Sequence, residues 1–294
     1  MRGISVKTFG GPEVLTMDNN LKVPSYNDDQ LLIKLAAAGI NPVEALIRTG
    51  TFPNPPALPY TPGFDGAGVV EKIGKNVKNF KVGDRVITAA AQGSGTYAEY
   101  VVTTPLFIAH LGSQLTFDEG AGIGIPYYTA YKLLCIIIRA RAGETLLVHG
   151  ASGAVGLASV QLAKSIGLKV IGTAGTPEGM KLAKGNGADF VFNHRDKDYM
   201  KHITDAAPEG IDIILEMLLY FYQDAAPEGI DIILEMLLYF YQDAAPEGID
   251  IILEMLLYFY QDAAPEGIDI ILEMLVYFYQ DVAPEGIDII LEML

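Results

Sequence analysis

The residues best suited to chemistry are Gly150, Gly153 and Gly156, set between the apolar run Leu146-Leu147-Val148 and the segment Leu157-Ala158-Ser159-Val160-Gln161-Leu162-Ala163. That order reads as a buried strand, a tight turn and a helix. Glycines at this spacing let the backbone turn sharply, approach a phosphate closely and seat the helix against the strand. The helix start then offers unpaired N–H groups and a positive dipole end to an anion. The spacing predicts a cradle for the pyrophosphate of a dinucleotide, with Val155, Leu157, Val160, Leu162 and Ala163 as the inward helix face. A strand-to-helix turn without a ligand would use the same glycines. The dinucleotide reading is favoured because a second strand, Leu168 to Ile171, comes about 20 residues on, as the fold requires.

The residues after that second strand select the cofactor. A fold that binds NAD places Asp or Glu there to hold the ribose 2′-hydroxyl. This chain runs Gly172-Thr173-Ala174-Gly175-Thr176 and has no acid until Glu178. The 2′ position is left open for a phosphate, so NADPH is expected over NADH. Polar or positive partners available to it are Ser152, Thr173, Thr176, Lys181 and the pair His194-Arg195, which comes after a third expected strand, Asp189 to Phe192. An exposed strand end accounts for His194 and Arg195 equally well.

The elements ahead of this unit have a different texture. Gln30 to Ala36 and Ala67 to Ile73 carry strand-like apolar patterning, and Lys81 to Ile87 joins a Gly-Asp turn to a strand. Pro53, Pro55, Pro56, Pro59 and Pro62 predict an irregular loop, as do Gly93, Ser94 and Gly95. From Asp118 the pattern becomes helical, with Pro126 to Ile138 as one strongly apolar helix whose Tyr127, Tyr128 and Tyr131 are expected in the core. A β domain feeding a parallel α/β domain is the architecture of a two-domain oxidoreductase.

The last third of the chain is a tandem repeat. The segment from Asp205 to Gln223 recurs with a 19-residue period from Asp224, Asp243 and Asp262, and a final copy from Asp281 stops at Leu294. Only Val276 and Val282 break the identity. Arrays that must fold keep core positions, vary surface ones and close with polar caps. Here the surface letters are copied too and no cap is present, so a recent expansion or an error in the recorded sequence is favoured over a selected solenoid. Within the unit, Ile211 to Leu218 suits a buried strand, while Asp212 and Glu216 at i, i+4 also fit a helix face; context favours a strand for the first copy.

Composition has meaning only when divided there. The net charge of −16 arises from the repeats, each with four acids and no base, leaving 16 acids and all 20 bases in the front 204 residues. A near-neutral front without a basic stripe gives no footprint for nucleic acid. Cys135, the single cysteine, excludes an internal disulfide, and without a charged and apolar leader this predicts a reducing, cytoplasmic setting. No apolar run reaches the roughly 18 residues of a membrane span. Zinc needs three or four placed ligands, and one cysteine with four scattered histidines does not supply such a set, so no metal is expected.

Eight stretches carry a family resemblance: Ala38-Gly-Ile-Asn-Pro-Val-Glu44, Leu58-Pro-Tyr-Thr-Pro-Gly63, Asp65-Gly-Ala-Gly-Val-Val70, Val82-Gly-Asp-Arg-Val86, Gly95-Thr-Tyr-Ala-Glu-Tyr100, Pro126-Tyr-Tyr-Thr-Ala-Tyr131, His149-Gly-Ala-Ser-Gly-Ala-Val-Gly156 and Gly172-Thr-Ala-Gly175. Over residues 1 to about 218 the chain resembles zeta-crystallin-type NADPH:quinone reductases of the medium-chain dehydrogenase/reductase superfamily. The resemblance implies an α/β fold with a GroES-like β domain and a Rossmann domain, a homo-oligomer, and reduction of a small apolar quinone-like substrate by NADPH. It implies that Ser152, Gly153, Ala154, Val155, Gly175 and His194 contact NADPH, beside Gly150, Gly156 and Thr173, and that Asn41 and Thr129 lie near the nicotinamide as catalytic residues. Where zinc-dependent cousins carry Gly-His-Glu, this chain has Gly63-Phe64-Asp65.

The chain departs from the family pattern twice. Leu46 stands where the family usually has a tyrosine. After Leu218 the family's polar continuation is replaced by Leu219-Tyr-Phe-Tyr-Gln223 and a return to the repeat. The expected organisation is therefore a GroES-like domain over 1–122 lacking its C-terminal return segment, an incomplete Rossmann domain over 123–223 and a 19-residue tandem repeat array over 224–294. The expected activity is zinc-independent NADPH:quinone reduction, with a non-catalytic NADPH-binding or degenerate product of the family as the alternative.

Overall fold

A computed structural model describes residues 1–52, 55–89 and 95–215. They divide into two units, Met1–Ile137 with Gly153–Leu162, and Ile138–Ser152 with the described residues from Ala163 onward.

The first unit is built on antiparallel strands. A ribbon pairs β1 (Gly3–Ser5) with β2 (Thr16–Asp18). Strands β3 (Leu31–Ala38), β4 (Gly66–Ile73), β5 (Arg85–Thr88), β6 (Tyr100–Thr103) and β7 (Ile108–His110) form a sheet in the order β6-β3-β4-β5-β7. Period-two alternation places Leu31 and Ile33 on one face with Val70, Val77, Val86 and Val101, and these make its buried core. The register Ala38↔Gly66 brings the end of β3 beside the start of β4, and the Gly39 N–H donates to the Asp65 carbonyl at 2.9 Å. Residues just beyond β3 and just before β4 are therefore neighbours at one end of the sheet.

Three helices arise from local signals. The first, α1 (Pro42–Thr49), opens with proline at its first position and ends at Gly50, whose φ of 81° is left-handed. A capping box at Thr116 and Glu119 starts α2 (Phe117–Ala121), which lays Ala121 against Ala67 and Leu111. The helix expected over 126–138 is found as α3 (Gly124–Tyr131), continued by a π-helical stretch, Lys132–Ile137. Successive isoleucines from Ile136 crowd the preceding turn of an α-helix, and the helix is wider where they occur.

The tyrosine expectation is corrected as well. Tyr128 and Tyr131 are 61% and 50% exposed, and Tyr127 is half-buried with its hydroxyl donating to Gln161 Oε1. The buried side of α3 is made by Gly124, Pro126 and Ala130. A buried tyrosine must satisfy its hydroxyl, whereas these small residues carry no polar side-chain group.

The second unit holds parallel strands β8 (Thr145–Val148), β9 (Lys169–Ala174), β10 (Phe190–Asn193) and β11 (Ile213–Leu215), in the order β10-β9-β8-β11. Along the chain they alternate with helices α4 (Ala154–Ile166), α5 (Pro177–Gly185) and α6 (Tyr199–Ala206). Every residue of β8 is buried, as in a parallel strand covered on both faces. Leu147 and Ile171 pack with Ile203 and Ala207, the latter two at the end of α6. The helix after the glycine turn, α4, buries Gly156, Ala158, Ser159, Val160 and Ala163. Val155, Leu157 and Leu162, expected on that face, are only half-buried, because close packing here uses the smaller residues. Asp189 binds the Lys164 ammonium at 2.8 Å and the Val170 N–H at 2.7 Å, joining the start of β10 to α4 and β9.

The expected strand of the first repeat copy is present as β11, in register with β8 from Ile213↔Leu146 to Leu215↔Val148. The expected structure of the later copies, and the Gly93-Ser94 part of the loop, lie outside the described residues. Among the described residues no helix is long and apolar enough to cross a membrane.

Candidate functional site

In the second unit, Gly150, Ser152, Gly175 and His194 lie just beyond the carboxyl ends of β8, β9 and β10. Gly150 comes after β8 with a φ of 67°, a left-handed conformation that favours glycine. The chain then returns to the sheet, where the Ala151 N–H donates to the Thr173 carbonyl at 2.9 Å. Gly153 and Ala154, at the start of α4, are exposed, Ser152 and Val155 are half-buried, and Gly156 is buried. The Gly153 carbonyl accepts from the Leu157 N–H at 2.8 Å, so the N–H groups ahead of Leu157 have no earlier helical carbonyl to bind.

The end of β9 brings two basic groups close. A methyl group added at Gly175 would lie 2.9 Å from His194 Nε2 and 3.3 Å from Arg195 Nε. Both side chains therefore lean over Gly175, the position after the strand that lacks an acid. Thr176 caps α5, its Oγ1 accepting from the Gly179 N–H at 3.1 Å. A methyl at Gly179 would lie 2.9 Å from Ser152 Oγ, which places Ser152 against the start of α5. Ser152, Gly175 and His194 are thus brought to one edge of the sheet, while Lys181 is exposed on α5.

Thr173 lies on β9. It is fully buried, with Oγ1 3.0 Å from His149 Nδ1, so it ties the turn after β8 to β9. Burial, with a smaller contribution from the His194 charge, holds His149 down at about 4, leaving it neutral near pH 7. Burial and then Arg195 also lower His194.

The first unit contains a buried polar cluster around Asn41. Asn41 precedes α1 and is 7% exposed; its backbone N–H donates to Glu44 Oε2 at 2.9 Å and its Nδ2 to Asp65 Oδ2 at 3.0 Å. Asp65, 1% exposed, also accepts the Ile125 N–H at 2.9 Å on both oxygens. Glu44 receives the Phe64 N–H at 3.0 Å and the Tyr97 hydroxyl. Burial raises the Asp65 carboxyl to about 6, against the opposing hydrogen bonds from Asn41 and Ile125 and with a further push from Glu44. Burial, and then the bond to Glu44, raises the Tyr97 phenol. Thr129 lies half-buried on α3, one turn beyond Ile125.

Beside this cluster a cleft of about 670 Å³ is lined by Ile47, Phe52, Tyr60, Pro62 and Phe64 among others, with Glu44 also contributing. Glu44, Asp65, Tyr97 and His149 escaped the sequence-based reading as site residues. Apart from the contact between Glu44 and Asn41, three residues apart, the side-chain partners cited here lie 20 or more residues away, so local spacing does not announce the cluster. Among the described residues, no group of three or more His, Cys, Asp or Glu side chains could hold a metal ion.

Two family models match the chain: the alcohol dehydrogenase GroES-like domain over residues 27–112 and the zinc-binding dehydrogenase over residues 154–237. Human quinone oxidoreductase is 52% identical over 219 residues, which is 74% of this chain and 66% of the relative. The chain therefore spans just under two thirds of that relative. Among solved structures, Escherichia coli quinone oxidoreductase complexed with NADPH aligns with a TM-score of 0.68 at 31% identity, covering 74% of this chain and 66% of that one. The quinone oxidoreductase from Coxiella burnetii aligns with a TM-score of 0.66 at 30% identity, over 74% of this chain and 68% of that one.

Proposed function

Because the chain belongs to the zeta-crystallin-type quinone reductases of the medium-chain dehydrogenase/reductase superfamily, we propose that it is a zinc-independent NADPH:quinone oxidoreductase. The observation that carries the cofactor choice is the end of β9, where His194 and Arg195 lean over Gly175 and no acid stands before Glu178. Those residues fit a 2′-phosphate, and an acid in the same place would repel it. We assign Gly150, Ser152, Gly153, Ala154, Val155 and Gly156 to the pyrophosphate, and Thr173, Gly175 and His194 to the adenosine side. Thr173 acts there through His149. Asn41 and Thr129 are assigned to the nicotinamide end. Bound NADPH supplies the hydride, while the protein supplies binding, orientation and exclusion of water.

The apolar cleft beside Phe64 supports a small quinone-like acceptor. Zinc independence rests on Phe64, which offers no ligand atom where zinc-dependent cousins carry histidine, and on Cys135 as the single cysteine. An electron-poor quinone needs no Lewis acid of the kind that stabilises an alkoxide. We further propose a homo-oligomer in a reducing, cytoplasmic setting. The domain limits are 1–122, 123–223 and 224–294, with the repeats as an accidental array that impairs the enzyme. A second reading, a non-catalytic NADPH-binding product of the family, is favoured by one observation: the last third of the sequence is a run of near-identical 19-residue copies, and the human relative is matched over 66% of its length.

Fluorescence titration with NADPH and NADH, and then quinone-dependent NADPH oxidation with and without a chelator, tests these readings. NADPH should bind at least several-fold tighter, and the chelator should leave the rate unchanged. Equal affinities would overturn the cofactor assignment, about one zinc per chain by elemental analysis would overturn metal independence, and tight binding without turnover would establish the second reading.

A further inference from the structure

We propose that Asp65 is a positioning residue: its carboxylate sets the direction of the Asn41 amide and anchors the start of the helix that carries Thr129. The proposal rests on the assignment of Asn41 and Thr129 to the nicotinamide end.

One carboxylate makes both connections. Asn41 Nδ2 donates to Asp65 Oδ2 at 3.0 Å, and the Ile125 N–H donates to both oxygens at 2.9 Å. Ile125 is the second residue of α3, and Thr129 lies four residues later. At about 1.5 Å of rise per residue the separation along the helix is about 6 Å. The approach is too close to admit a side chain at the preceding position, since a methyl at Gly124 would lie 2.3 Å from Asp65 Oδ1. Asp65 in turn is held where β4 begins, its own carbonyl accepting the Gly39 N–H at 2.9 Å.

The chemistry of the contact fixes an orientation. An ionised carboxylate only accepts hydrogen bonds, whereas a primary amide donates at nitrogen and accepts at oxygen. Asn41 must therefore turn Nδ2 toward Asp65, which directs Oδ1 away from it. The Asn41 backbone is fixed independently, because its N–H is bound by Glu44 at 2.9 Å. With the backbone held by one carboxylate and the amide by another, rotation about the side chain cannot exchange oxygen for nitrogen without losing a buried hydrogen bond. Phe64, one residue before Asp65, has its N–H bound by Glu44 at 3.0 Å, so both carboxylates are fixed to the same short segment.

Asp65→Asn is the informative perturbation. It presents an amide to an amide and an N–H, so Asn41 is released from the one orientation the carboxylate allows. In the full chain, circular dichroism should be unchanged, and affinity for adenosine 2′,5′-bisphosphate, which lacks the nicotinamide, should stay within about twofold. The fluorescence of bound NADPH should change, and kcat with a quinone should fall about tenfold at similar acceptor KM, the scale of coupling within one hydrogen-bonded group. In an Asn41→Ala background the same substitution should alter kcat by less than about twofold.

Additive effects of Asp65→Asn and Asn41→Ala, or equal losses for the bisphosphate and NADPH, would overturn the proposal. So would unchanged NADPH fluorescence and kcat. Should Asp65→Asn not fold, the exchange Asn41→Asp with Asp65→Asn restores one donor and one acceptor across the contact. It should recover the folded protein and its NADPH fluorescence, and failure to do so counts against the proposal. A wild-type chain that binds neither probe refutes the functional reading itself. A wild-type chain that binds both, with an indifferent Asp65→Asn variant, refutes only the positioning role.

Discussion

Burial of Asp65 gives a measurable dependence of stability on pH. Its carboxyl rises from the usual 3.8 to about 6 in the folded protein, chiefly because burial penalises the charged form. A raised folded-state value means that the unfolded chain releases this proton first as pH increases. The contribution is therefore fully stabilising below about 3.8 and is lost as pH rises through about 6. The whole change is about 3 kcal/mol, of which about 1.4 kcal/mol falls between pH 5 and pH 8. Glu44 and Tyr97 lie near the group and are common to wild type and variant, so a comparison of the two isolates Asp65. Urea unfolding of the full chain and of Asp65→Asn at pH 5 and pH 8 should show the wild type losing about 1.4 kcal/mol more than the variant over that interval. Parallel pH profiles, or a wild type that gains stability relative to the variant, would refute the reasoning.

Two further outcomes are expected. Gly175→Ala places a methyl 2.9 Å from His194 Nε2 and should displace the basic pair, weakening NADPH about tenfold while NADH changes little; fluorescence titration of both nucleotides decides it. A chain ending at Gln223 should give more soluble protein with unchanged NADPH affinity. The full chain should aggregate more as salt rises, because the acids that keep its apolar repeats apart are screened beyond about 8 to 10 Å; soluble yield at low and moderate salt measures this.

The phosphate-binding half of the site was legible because its information is local. Gly150, Gly153 and Gly156 lie within seven consecutive residues, and strand, turn and helix each leave their own period in the sequence. The strands β3, β4 and β8 to β10 were legible for the same reason. The cluster at Asn41 was not, because Asp65 is 24 residues from Asn41 and 60 from Ile125, and antiparallel register closes that distance. Apolar content misled at two places. Tyr128 and Tyr131 counted as core from hydrophobicity, yet α3 turns Gly124, Pro126 and Ala130 inward. On α4, size outweighs hydrophobicity in the same way, since Ala158, Ser159 and Ala163 are fully buried while Leu157 and Leu162 are not.

The place beside β8 bears on how this chain reaches its structure. Strand β11 is held there by the Asp212 N–H to the Thr145 carbonyl at 3.0 Å, the Thr145 N–H to Asp212 Oδ2 at 2.7 Å and the His149 N–H to the Leu215 carbonyl at 2.9 Å. Every one of those anchors is supplied by the segment Ile-Asp-Ile-Ile-Leu, and the sequence writes that segment four more times, from Ile230, Ile249, Ile268 and Ile287. The berth therefore recognises a word rather than an address. The first copy has the shortest chain leading to it, and closing a loop costs about 0.6 kcal/mol for each doubling of its length. The sequence thus writes five times the segment for which the described structure has one place.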